Sequence, residues 1–168
     1  MKLITIPRTF TDLKQSLELC DELFLQHQIH LMHQDIKQAV TKFEQLVSIR
    51  TQHLKIMEEL LLPAFEEIVE NIPYGAKPLY FIREKKLILK NLDKYIRKLG
   101  NIFLHSERLE IVRLFEEYAW LKDLLDHHDA REKAFLFTIL DEKLPDSTKQ
   151  ELLQDINKRF KQLEKSST

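Results

Sequence analysis

His128 and Glu132 stand four residues apart in the stretch His127-His128-Asp129-Ala130-Arg131-Glu132-Lys133-Ala134-Phe135-Leu136-Phe137. On a helix that spacing sends both side chains from one face, where an imidazole nitrogen and a carboxylate oxygen can reach a common ion. Such a mixed donor set suits iron, zinc or manganese. A second carboxylate, Glu58, lies in His53-Leu54-Lys55-Ile56-Met57-Glu58-Glu59-Leu60-Leu61-Leu62-Pro63. Two inward carboxylates from two helices are what a dinuclear site in a helical bundle uses as bridges. A further group, His27, His30 and His33, with His105 near the matching turn of the other half, brings imidazoles together. They could chelate a divalent cation or sense pH, although histidines at a helix end are expected to be solvated. No glycine-rich phosphate loop occurs, and the single cysteine, Cys20, has neither a zinc-type pair nor a partner that would make it a nucleophile. Hydrolase and nucleotide chemistry are therefore not expected, and nothing in the sequence argues for an enzyme.

The elements that must position these residues are helices. Apolar residues recur at three and four, as in Ile36, Val40, Phe43, Val47 and in Leu114, Tyr118, Leu121, Leu125, with no strand alternation to compete. Punctuation is sparse. Asn71 to Pro78, reading NIPYGAKP, is a loop; Leu99-Gly100-Asn101 reads as a helix C-terminus; Leu144-Pro145-Asp146-Ser147 is a third break. Thr11 to Glu70 would otherwise form one helix of about 60 residues, roughly 90 Å long, so a turn must interrupt it. Superposing Glu58 on Glu132 aligns Leu54 with His128 and Val40 with Leu114. The second half turns near Gly100 to Phe103, which places the first turn near Gln26 to His30; a rival turn lies at Ser48 to Thr51. The expected fold is all-α, an up-and-down antiparallel four-helix bundle formed by residues 1–168 as one domain. A short fifth helix, Ser147 to Leu163, packs its Leu152, Ile156, Phe160 and Leu163 face back on the bundle, with residues 165–168 frayed. Trp120, with Tyr118, Phe115 and Leu124, is read as core.

Composition narrows the partners. The 168 residues include 26 Lys plus Arg against 27 Asp plus Glu, a net charge of −1, so no overall field attracts nucleic acid or an anionic membrane. No apolar run approaches the roughly 18 residues of a membrane span. The opening MKLITIPRTF lacks the apolar core and small-residue cleavage site of a secretory signal, and one cysteine cannot form an internal disulfide; a reducing cytoplasm fits best.

The histidine, the glutamate four residues later, the aromatic and aliphatic step and the acidic helical tail resemble the hemerythrin-like (HHE cation-binding) family. The fourth-helix likeness runs from about Leu121 to Leu152, and the second-helix likeness is Glu58-Glu59-Leu60-Leu61-Leu62-Pro63-Ala64. The resemblance implies a non-heme iron or other divalent metal site with a sensing or regulatory role, held by Glu58, His128 and Glu132. Leu54 occupies the family's second-helix histidine position; His53, one residue earlier and about 100° around the helix, is a fourth candidate that this register turns toward solvent. Thr9 to Lys14 and Leu79 to Leu87 supply none of the histidines the family offers on its first and third helices. The resemblance thus implies a mononuclear or degenerate diiron site, or none. In the last case Lys85, near Tyr80 and Glu84 on the third helix, is placed to neutralise Glu58 and Glu132. The competing expectation is a metal-free helical protein that binds a protein partner, for example of the sigma-factor-binding type.

Overall fold

The three- and four-residue recurrence of apolar side chains gives helix throughout. A computed structural model describes residues 7–105 and 108–166, and no strand occurs among the described residues. A 3-10 turn, Thr11–Leu13, leads into α1 (Lys14–Met32). Helix α2 (Ile36–Ile56) continues through a π-helical turn, Met57–Leu61, into α3 (Leu62–Ile68). After a second 3-10 turn, Tyr74–Ala76, come α4 (Pro78–His105) and α5 (Arg108–Arg131), which continues through a π-helical turn, Glu132–Phe137, into α6 (Thr138–Lys143); α7 (Asp146–Ser166) closes the chain. Helix α1 packs on α2, α2 on α4, α4 on α5 and α5 on α1, while α3 meets α6 and α7 lies against α2. Phe43, Phe65, Phe81, Leu92, Leu114 and Leu121 are among the fully buried residues of the core they share, each burial stabilising by about 1.5–3 kcal/mol. No described helix is long and apolar enough to cross a membrane.

Several expectations are corrected. The first turn is not at Gln26 to His30 but at His33 to Asp35, and Ser48 to Thr51 lies inside unbroken α2. The turn carries the paired hydrogen bonds of a Schellman motif, Asp35 N to His30 O at 2.9 Å and Gln34 N to Leu31 O at 3.0 Å, with Gln34 at φ 59°. A glutamine there gives no sequence signal of the kind glycine would. Asp35 then caps α2 by accepting from Gln38 N. Gly100 does not end α4, which runs on to His105. The stripe Leu92, Tyr95, Leu99 and Ile102 stays buried across the glycine, and that burial outweighs its cost in a helix of about 1 kcal/mol. Trp120 is 48% exposed, and Tyr118 takes the inward place instead. Helix α7 begins at Asp146 and still includes Lys165; residues 167 and 168, expected to fray, lie outside the described residues.

The two π-helical turns fall at equivalent places along the two long rods. In the first, Leu62 N bonds back to Met57 O; the wider turn precedes Pro63, which has no N–H and would crowd a regular helix. In the second, Thr138 donates its hydroxyl to Lys133 O at 3.1 Å. The N-terminal turn is pinned across the fold by Asp141, which accepts from Phe10 N at 2.8 Å and Thr11 N at 2.9 Å.

His27, expected to be solvated, is buried among Phe24, Phe43 and Tyr118. Its Nδ1 lies 2.7 Å from Ala39 O and its Nε2 2.7 Å from the Tyr118 hydroxyl. A carbonyl only accepts, so Nδ1 carries the proton and Nε2 accepts from Tyr118, which fixes one neutral tautomer. Burial lowers the His27 pKa from 6.5 to about 4, against the opposing pull of Ala39 O. A depressed histidine pKa means that the unfolded chain binds the proton more readily. The stability due to this group is therefore intact above pH 6.5 and is lost as pH falls through about 4, a drop of about 3 kcal/mol. Urea denaturation across this range should show the decline. His27→Asn should be less stable at pH 7 and show a flatter pH profile.

Candidate functional site

Burying an ion in a helical interior requires a counter-ion and hydrogen bonds for its remaining positions. Among the described residues the buried polar side chains are Ser16, His27, Arg50, His53, His128, Asp129 and Glu132. All but His27 belong to one centre. Glu132, at the start of the second π-helical turn, accepts from His53 Nε2 on α2 at 2.7 Å, so that nitrogen carries a proton. On the far side of the ring, Nδ1 lies 3.0 Å from Ser16 Oγ on α1, which also donates to Leu13 O at 2.7 Å. The other carboxylate oxygen, Oε1, faces His128 Nε2 on α5 at 3.6 Å. The His128 Nδ1 donates to Glu84 on α4 at 2.9 Å. Arg131 clasps Glu84 from Nε at 3.1 Å, bonds His127 Nε2 at 2.8 Å and reaches Gly75 O in the loop. A side chain at position 75 would press on the Phe135 ring, so glycine lets the loop lie close enough for Arg131 to hold it. The chain Ser16–His53–Glu132–His128–Glu84–Arg131 thus joins α1, α2, α4 and α5 and ends at exposed His127.

A second rung lies beside it. Arg50, three residues before His53, makes a bidentate pair with Asp129, three residues before Glu132, at 2.5 and 3.0 Å. Burial disfavours the guanidinium charge, but Asp129 outweighs it and raises the arginine's pKa further. Burial also opposes charge on Glu132, yet His53 and His128 prevail and hold its carboxyl below the usual range. For His128, burial works against the imidazolium, while Glu132 and Glu84 hold its pKa up at about 9. Three buried atoms of this centre have no hydrogen-bond partner among the described residues: Arg50 Nε, His128 Nε2 and Glu132 Oε1.

Of the residues singled out in the sequence, the structure brings His53, His128 and Glu132 together and sets Glu58 apart. His53 is fully buried rather than solvent-facing. Aligning the two π-helical turns at their starts places His53 on His128 and Met57 on Glu132, one residue away from the register that superposed Glu58 on Glu132. Glu58 is half-buried and bonded by Lys85. Lys85 therefore meets Glu58 as expected, but Glu132 is neutralised by imidazoles. The His30 and His33 pair does not join the centre: His33 is exposed and His30 lies 3.6 Å from Asp35. The side chain of His105 lies outside the described residues. Ser16, Arg50 and Asp129 went unread in the sequence, although the matched three-residue spacings of Arg50 to His53 and Asp129 to Glu132 were a usable signal.

A diiron centre does not fit these residues. Of the two buried carboxylates among the described residues, Asp129 is taken by Arg50 and Glu132 alone faces both histidines; Met57 stands in the place equivalent to Glu132, and Glu58 is held by Lys85. Among the described residues no three His, Cys, Asp or Glu side chains converge as a metal set. No family model, curated protein or solved structure matches the chain.

Asp129→Ala leaves the Arg50 guanidinium buried without its partner and should cost about 3–5 kcal/mol, whereas Arg50→Met with Asp129→Leu should recover most of that loss. Urea midpoints of the single and double variants check this.

Proposed function

We propose that the chain is a hemerythrin-like four-helix module that works without a metal, as a regulatory or protein-interaction bundle. The observation that carries this reading is that the carboxylates in and beside the centre are each met by the chain's own side chains. Lys85 bonds Glu58, Arg50 bonds Asp129, Arg131 bonds Glu84, and His53 and His128 flank Glu132. These groups do the neutralising that an ion would otherwise do in a bundle of this kind. The helix directions support an up-and-down arrangement of α1, α2, α4 and α5. Arg50 with Asp129 and His53 with Glu132 ascend together, so α2 and α5 run the same way. Lys94 and Lys98 bond Glu117 whereas Glu84 bonds Arg131, so α4 and α5 run oppositely.

A second reading is a single iron or other divalent ion at His128 and Glu132, with His53 beside them. It is favoured by the unpartnered His128 Nε2 and Glu132 Oε1, which face each other at 3.6 Å. Donors each about 2.1 Å from one ion can stand that far apart. Elemental analysis of untagged protein separates the two. The metal-free reading expects iron, zinc and manganese well below one ion per chain, with no rise after incubation with each metal and desalting. One tightly held ion per chain, absent from His128→Ala and from Glu132→Gln, would establish the second reading in its place.

A further inference from the structure

Helices α1 and α5 lie side by side in opposite directions, with Asp21 bonded to Lys122 at 2.9 Å and His27 to Tyr118 at 2.7 Å. Between their outward faces runs an open groove of about 490 Å³, walled by Phe24, Leu25, Phe115 and Ala119, with Asp21 and Lys122 also lining it. Toward one end of the groove the two helices carry exposed apolar side chains. On α1, Leu25, Ile29 and Met32 are 57%, 44% and 71% exposed, and on α5 Leu109 and Val112 are 59% and 55% exposed. Their spacing of three and four residues puts each set on one helix face, separate from the face that supplies Leu23, Leu31, Leu114 and Tyr118 to the core. The other end is acidic. Lys122 on α5 bonds Asp21 and Asp126, Glu22 accepts from Gln26, and Glu18 and Asp123 are exposed within one turn of these along the two helices; Lys14 stands one turn beyond Glu18.

A contiguous apolar stripe left in water marks an interaction surface when polar groups border it. A channel between two antiparallel helices accepts a third helix, whose side-chain ridges fill it and whose anchors recur at three and four. Five carboxylates in this stretch of the two helices, against one lysine already engaged by two of them, select cations at one end of that helix. A second copy seated seam to seam would bring from this stretch only Lys14 and Lys122 as cations, and an anionic membrane would be repelled by the carboxylates. We propose that this seam receives an amphipathic helix of a partner protein, apolar along one stripe and bearing lysine or arginine at the end that overlies Glu18, Glu22 and Asp123. The proposal rests on reading the chain as an interaction module, and metal content tests that reading separately.

The probe is a fluorescein-labelled synthetic helix of about five turns, with leucines at three- and four-residue spacing and lysines in one terminal turn. A twin carries glutamates in place of the lysines. Anisotropy titration with the full chain should show the lysine peptide binding at least about tenfold more tightly than its twin. Met32→Glu, at an exposed position, should weaken binding of the lysine peptide while leaving the circular dichroism unchanged. Asp123→Lys should weaken the lysine peptide and strengthen the twin. Equal affinities for the two peptides, no binding of either, or binding indifferent to Met32→Glu would overturn the proposal. So would a dimer in analytical ultracentrifugation that Met32→Glu dissolves, because the seam would then belong to a second copy.

Discussion

A carboxylate with no access to water, Glu132, sets the terms for the interior of this protein. An isolated buried charge of that kind is prohibitively costly, so His53 must approach from α2 and His128 from the preceding turn of α5. Each imidazole then needs a partner for its second nitrogen. Ser16 serves His53 from α1 and Glu84 serves His128 from α4. Glu84 in turn requires Arg131, and Arg131 ties down the loop at Gly75. One charge thereby fixes how four helices and a connecting loop meet, with the Arg50 and Asp129 rung locking the register between α2 and α5 one turn away. Removing any member strands the next, which makes the network a specifier of one arrangement as much as a source of stability.

Much of this was legible in the sequence. The heptad-like apolar spacing gave helices, NIPYGAKP gave the loop, and the four-residue spacing of His128 and Glu132 gave a shared face. The Lys85 partnership with Glu58 followed from charge alone. What escaped did so for identifiable reasons. Gln34 takes a left-handed conformation that sequence rules assign to glycine, which hid the first turn. The comparison of the two halves was one residue out because glutamate was matched to glutamate, whereas the structural equivalent of Glu132 is Met57. That slip turned His53 outward by a third of a helical turn and made a buried partner look solvent-facing. Arg50 and Asp129 were unread because a charged residue on a helix is normally a solvated one. His27 was misplaced along with the turn, and Trp120 shows that an aromatic flanked by apolar residues can still face water.

The interior and the surface have different chemistry as a result. Inside, Asp129 is paired with Arg50 and Glu132 with His53, while Arg50 Nε, His128 Nε2 and Glu132 Oε1 keep no hydrogen-bond partner among the described residues. Outside, the seam between α1 and α5 leaves apolar side chains in water and gathers carboxylates beside them.

The account stands on the claim that His128 remains an imidazolium beside an ionised Glu132. Nitrogen-detected magnetic resonance of the His128 ring, followed from pH 6 to pH 10, tests it directly. The account predicts that both ring nitrogens stay protonated through neutral pH, with titration at about 9. A His128 ring that is already neutral at pH 7, or one whose nitrogen signals shift on addition of iron or zinc, would contradict it.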